Sequence, residues 1–290
     1  TPLEELLPVY INTKHKRGES SSFRMQLTRE GWLAPWVRVK PSELEEQKRI
    51  EEMPGDAKDW SFGNPAAMGD GIRAGEKAGG ATALLDEAWW FPAICWPDGR
   101  LQFMLNERMM PAQFVVNGDG VRFINEAAPY MDFAHAMIEG QRSGVTHIPC
   151  WLITDIRSFH RYVVGGHLPI PKVPFAPVPT GRTVPQAWLD SGVVKQGSSW
   201  EELAAAIGVP GDRLRATAER FNELARRGHD DDFNRGDSAY DNYYGDPTLP
   251  NPNLHPLGDP PYYAFQIILG DLAVLLERLE HVVGVATRVA

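Results

Sequence analysis

The segment from Gln113 to Asn125, QFVVNGDGVRFIN, restricts the fold more than any other stretch of the chain. Two runs of β-branched and aromatic residues flank Asn117-Gly118-Asp119-Gly120, whose members tolerate the positive φ that a tight turn requires. The pattern predicts a β-hairpin, and with it a sheet that the rest of the chain must cover. Helical signals are equally plain further along. Ser199 precedes WEELAAAIG, Glu202 completes a capping box, and Gly208 closes the C terminus. Asp212 then leads RLRATAERFNELARR, which sets Leu214, Ala218, Phe221 and Leu224 on one face before Gly228. PYMDFAHAMIEG reads as another helix, Trp151-Leu152-Ile153 as a short buried strand, and AFQIIL as a strand near the C terminus. Strands and helices alternate irregularly, so the expected fold class is α+β (mixed α/β) rather than a plain doubly wound sheet.

Other segments carry weaker signals. Ser42 and Glu45 form a capping box ahead of SELEEQKRIEEM, an expected exposed helix. Gly69-Asp70-Gly71 opens a small-residue helix in which Ile72, Ala74, Ala78 and Ala81 are expected to pack closely, ended by Gly79 and Gly80. Six prolines between Pro169 and Pro185 exclude both helix and regular sheet there, and predict an extended crossing. A net charge of −9 disfavours nucleic acid and anionic membrane, which bind through Lys and Arg. No apolar run approaches the roughly 18 residues of a membrane span. Cys95 and Cys150 are far apart in sequence and read as separate thiols of a reducing compartment, hence a cytoplasmic setting. There is no CxxC pair and no HExxH, so no metal is assigned. Asp230-Asp231-Asp232 lacks the alternating ligands of a calcium loop and reads as a solvated turn. The tyrosines from Tyr240 to Tyr244, with Tyr262 and Tyr263, read as core and interface aromatics.

Six strings in register carry a family resemblance: DWSFGNPAAMGDGI, LLDEAWWFP, NERMMPAQFVVNGDGVRFINEAAPYMDFAHAM, QAWLDSGVV, RFNELARRGHDDDFNRGDSAYDNYYGDP and PPYYAFQIILGDL. Their order and spacing resemble the 3-ketosteroid Δ1-dehydrogenases and related FAD-binding flavoproteins of the fumarate reductase type. The likeness runs from about Asp59 to Leu272. The departures lie at the ends. The family begins with a strand, a GxGxxG turn and a helix that hold the FAD pyrophosphate; no GxGxxG occurs here. The family also ends in a Gly-rich segment with a tyrosine beside the flavin, whereas this chain ends AVLLERLEHVVGVATRVA. The resemblance therefore implies an internal piece of a longer enzyme. Residues 1–98 are expected to be a remnant of the FAD-binding domain, 99–240 a substrate-capping domain, and 241–290 a return toward the FAD domain.

The resemblance implies an FAD-dependent oxidoreductase that dehydrogenates a 3-ketosteroid at C1–C2, with a proton going to a tyrosine base and a hydride to flavin N5. Tyr130, in NEAAPY, matches the position of that base. A free phenol titrates near ~10, so a tyrosinate base needs donors or positive charge nearby. Gly69, Asp70 and Gly71 match the segment that helps hold FAD, with glycines allowing close backbone approach. Glu107, Arg108, Arg122 and Glu126, with Asn125, match residues between cap and flavin in this superfamily, where either a proton path or a structural salt bridge fits. The implied partner is a steroid-like ketone. Three alternatives stay open: Δ4-dehydrogenation, reduction of an enoate or fumarate, and a non-catalytic cap fragment without flavin. The missing first βαβ unit would leave apolar surface uncovered and favour self-association.

Overall fold

Every strand pairing in the computed structural model is antiparallel; it describes residues 9–10, 26–27, 62, 70–81, 88–165 and 184–271. The described residues fall into two units. One contains β1 (Val9–Tyr10), which pairs with β2 (Gln26–Leu27), and the helix α1 (Asp70–Lys77). Helix α1 stops where expected: Gly79 has φ 85° and the Gly80 N–H returns to the Gly75 carbonyl at 2.9 Å. Its small face differs from expectation, because Ala74, Ala78 and Ala81 are exposed. The helix expected after Ser42, Gly69, the proline stretch up to residue 183 and the tail beyond Asp271 lie outside the described residues.

The second unit holds Phe62 and residues 90–271. Its strands are β3 (Phe91–Cys95), β4 (Leu101–Phe103), β5 (Gln113–Val116), β6 (Cys150–Asp155), β7 (Val194–Gly197) and β8 (Tyr262–Gly270). They form one six-stranded sheet in the order β4-β3-β8-β6-β5, with β7 also paired to β8. Strand β8 is the spine: Tyr262 to Ile267 pair with β6, Tyr262 to Phe265 with β7, and Ile268 to Gly270 with β3.

The helices of this unit are α2 (Tyr130–Arg142), α3 (Ile156–Arg161), α4 (Gln186–Ser191), α5 (Trp200–Ile207) and α6 (Gly211–Arg227). Successive strand residues point to opposite faces, so β8 divides its side chains between two cores. Tyr262 and Ala264 join Phe114, Trp151 and Ile153 under Leu203, Ile207, Leu214, Ala218 and Phe221 of α5 and α6. Tyr263 and Phe265 meet Phe159 of α3 at 6.4 and 5.9 Å, and Phe265 meets Trp188 of α4 at 6.4 Å between ring centres. Helix α5 begins at the predicted cap, Ser199, although the Glu202 carboxylate reaches one residue past the cap's own N–H. The Ser199 hydroxyl accepts the Glu202 N–H at 3.1 Å, and the Glu202 carboxylate returns to the Ser198 N–H at 2.8 Å. Gly208 and Gly228 end α5 and α6 in the left-handed region. A mixed α+β fold is the result, as expected.

The hairpin is only half realised. The turn is present, with Gly120 at φ 75° and its N–H on the Asn117 carbonyl at 3.0 Å. No strand follows it through Val121 to Asn125, and β5 pairs instead with β6. The reason lies on the open edge of β5, where side chains take the place of a second strand. The Val115 N–H donates to Glu126 Oε1 at 3.1 Å, and the Gln113 carbonyl accepts from Arg235 Nη1 at 2.8 Å. Asn117 Oδ1 also accepts the N–H groups of Asp119 and Val121.

Candidate active site

Tyr130 is the first residue of α2, and Pro129 before it sits at φ −49°, ψ 141°. Proline suits this junction because its ring fixes φ and the helix start needs no N–H from it. The Phe133 N–H then closes the first turn on the Pro129 carbonyl at 3.0 Å. The Tyr130 ring is half-buried and stands edge-on to Phe103 of β4, 5.3 Å between centres at 85°. Phe103 meets Phe91 at 4.5 Å and Phe91 meets Phe62 at 5.0 Å, so the phenol ends an aromatic wall.

Arg108 lies in a 3₁₀ turn, Glu107–Met109, and is fully buried. Its Nε donates to the Met104 carbonyl at 3.1 Å, and Nη1 donates to the carbonyls of Glu126 and Ala128, the latter at 2.6 Å. Its guanidinium covers the Phe133 ring at 5.2 Å. Burial pulls this guanidinium down to about 10, while Tyr240, Glu126 and Asp241 nearby oppose the shift; it stays charged at neutral pH. Tyr240 is moved the other way: burial raises its phenol, the Arg108 cation lowers it, and Tyr130, Tyr244 and Asp132 raise it.

Arg122 and Glu126 form a salt bridge of 2.8 Å, both buried. Arg122 makes paired bonds to Glu126 at 2.8 and 2.8 Å and to Asp230 at 3.2 and 2.7 Å. Arg235, wholly buried, adds a 3.1 Å bond to Glu126 and a 2.8 Å bond to the Met110 carbonyl. Burial alone would raise the Glu126 and Asp230 carboxyls, but the guanidinium groups overcome it and hold both below the usual range. Asn125 joins the same assembly, its Nδ2 donating to Asp241 at 2.9 Å. Of the two arrangements that fitted Arg122, Asn125 and Glu126, their geometry is that of a salt-bridged clamp.

Glu107 is buried and lines an open cleft of about 400 Å³ together with Arg161, Tyr162, Tyr244 and Asp246. Asp246 accepts from Arg161 Nε and from the Tyr162 hydroxyl, both at 2.8 Å. Burial raises the Tyr162 phenol, and the Asp246 contact raises it further. Sequence reasoning missed Asp230, Arg235, Tyr240, Asp241 and Asp246 as members of these clusters. Of the expected solvated turn, Asp231 and Asp232 are exposed, whereas Asp230 is buried because the Arg122 guanidinium pairs with it in place of water. Tyr262 and Tyr263 are core residues, but Tyr240 and Tyr243 are exposed, with Tyr243 edge-on to Tyr244 at 4.7 Å. Both cysteines are free thiols, Cys150 buried and Cys95 half-buried. Among the described residues, no group of three His, Cys, Asp or Glu is placed to hold a metal ion, and no helix is long and apolar enough to cross a membrane.

Asp70 and Gly71 belong to the other unit, at the start of α1. The first-turn N–H groups of a helix have no intrahelical partner and carry its positive end, which suits a polar or anionic part of a nucleotide.

Residues 40–275 match the model of the FAD binding domain, and the chain belongs to that family, whose cofactor is FAD. The chain is 40% identical to a 3-oxosteroid 1-dehydrogenase of Mycobacterium tuberculosis (strain ATCC 25618 / H37Rv) over 91% of its own length and 45% of the relative's. It is 42% identical to a 3-oxosteroid 1-dehydrogenase of Mycolicibacterium smegmatis over 74% of this chain and 36% of that one. Among solved structures it resembles the 3-ketosteroid Δ1-dehydrogenase of Sterolibacterium denitrificans in complex with 1,4-androstadiene-3,17-dione. There the TM-score is 0.65 at 35% identity, covering 87% of this chain and 43% of that one. The chain thus spans less than half the length of these relatives.

Proposed function

We propose that this chain is part of an FAD-dependent dehydrogenase that acts on a 3-ketosteroid, with Tyr130 as the base. The observation that carries the reading is the position of Tyr130 at the end of the Phe62–Phe91–Phe103 wall. Phe103, half-buried like Tyr130, sets an apolar ring beside the phenol that suits a fused-ring substrate, while Phe91 behind it belongs to the core. The ketone makes the hydrogen on its neighbouring carbon acidic, and Tyr130 takes that proton as the base. Bound FAD would supply the hydride acceptor for the second hydrogen. Gly69, Asp70 and Gly71, of which the last two open α1, would hold a polar part of that cofactor. Arg122 and Glu126 stand apart from the proton transfer and stiffen the turn that leads to Tyr130. The setting we propose is the cytoplasm, in keeping with two unpaired cysteines.

The first experiment adds excess FAD to the purified chain, removes free flavin, and records the visible spectrum. A retained flavin spectrum is expected; a colourless protein would remove the enzyme reading for this chain. Dye-coupled turnover of a 3-ketosteroid follows. Tyr130→Phe is expected to abolish turnover and leave flavin retention unchanged, and unaltered turnover would take Tyr130 out of the mechanism.

A further inference from the structure

A fully buried guanidinium is expensive to desolvate unless its hydrogen bonds replace those of water. Arg108 meets that demand only in part: Nε and Nη1 are paired, while the buried Nη2 has no hydrogen-bond partner. Those two nitrogens donate to backbone carbonyls, at Met104, Glu126 and Ala128, while the carboxylates of Glu126 and Asp230 are engaged by Arg122 and Arg235. Two of those carbonyls lie four and two residues before Tyr130, and the Phe133 ring under the guanidinium lies three residues after it. Arg108 therefore grips the chain on both sides of Tyr130. An apolar side chain would fill the same volume without a desolvation penalty, so what the arginine adds is the orientation of those carbonyls.

We propose that Arg108 is a positioning residue for Tyr130: its forked guanidinium fixes the Glu126–Ala128 turn and thereby the direction in which the phenol leaves the start of α2. The inference rests on the reading of Tyr130 as the base and extends it to a residue that acts only through Tyr130. The fork matters as much as the charge, because Nε and Nη1 reach opposite sides of the site, the Met104 carbonyl at 3.1 Å and the Ala128 carbonyl at 2.6 Å. A lysine at this position would keep the cation and lose one of the two anchors.

The test uses the full chain with excess FAD and tyrosine labelled with ¹³C at Cζ. The Tyr130 resonance is identified by its loss in Tyr130→Phe. Arg108→Met is expected to displace that resonance while those of Tyr262 and Tyr263, in the strand core, keep their positions; Arg108→Lys should displace it less. In ketosteroid turnover, Arg108→Met should lower kcat roughly 10- to 100-fold with KM within about twofold, the pattern of a misaimed rather than a missing group. Arg108→Lys should recover part of that loss. An unmoved Tyr130 resonance with unchanged kcat in Arg108→Met would overturn the proposal. If Arg108→Met loses the Tyr262 and Tyr263 signals and so fails to fold, Arg108→Lys decides by the same two measurements. If Tyr130→Phe leaves turnover intact, the base reading falls, and the resonance shift alone decides whether Arg108 aims the phenol.

Discussion

Two regions close the same sheet with opposite chemistry. On one side α5 and α6 lay Leu203, Ile207, Leu214, Ala218 and Phe221 on Phe114, Trp151 and Ile153. On the edge of β5, Arg122, Glu126, Asp230 and Arg235 form a buried ionic clamp that takes over the bonds of an absent strand. The apolar side tolerates small shifts, since dispersion and burial are non-directional. The ionic side does not, since each charge depends on partners held at hydrogen-bond distance. A phenol proposed as a base needs a fixed direction, which the second kind of neighbourhood serves, and Tyr130 follows directly on the turn that this clamp secures.

The contrast can be broken most severely at Glu126. Glu126→Ala leaves Arg122 and Arg235 short of a buried partner and should destabilise by about 4 kcal/mol in urea denaturation. A loss no larger than that of an exposed ion pair would erase the distinction drawn here. The clamp should also register pH. Glu126 and Asp230 are held below their ordinary values in the fold, so their contribution is complete above the unfolded carboxyl pKa of about 4 and is lost as pH falls through the lower folded values. Denaturation midpoints between pH 7 and pH 3 should therefore fall less steeply for Glu126→Gln than for the parent chain. On the apolar side Leu214→Ala should cost about 3 kcal/mol through the cavity it leaves, with the same acid dependence as the parent. Ser199→Ala removes the cap of α5 and should cost about 1 kcal/mol, read from the same melts. The smallest effect is expected from Arg213→Ala, whose 2.8 Å pair with Asp119 is solvent-exposed; a midpoint change equivalent to more than about 1 kcal/mol would contradict that.

The two sides also differ in how far the sequence discloses them. Ser199, Glu202, Gly208 and the Leu214–Ala218–Phe221–Leu224 stripe are local patterns, and α5 and α6 form where these place them. The strand around Trp151 and the one at AFQIIL were equally legible, because a buried strand carries its signal in a short apolar run. The hairpin misled for a physical reason. Val121 to Ile124 have strand composition, but β5 finds its edge partners in Glu126 and in Arg235, the latter more than a hundred residues on. No local rule joins Arg122 to Asp230 or Arg235 to Glu126, since a charged residue on a loop reads as solvated until the fold buries it. The candidate base came from the motif around Tyr130, whereas Arg108 acquires its meaning only from the carbonyls it holds.

Because β8 is the sheet's middle strand and the last of those described, the order of synthesis works against early folding. Partners spoken for by residues 262 to 270 leave the ribosome well before their mate, so β3, β6 and β7 wait with unpaired edges. Those three pairings therefore form together only once residues 262 to 270 are available, a late closure of the sheet.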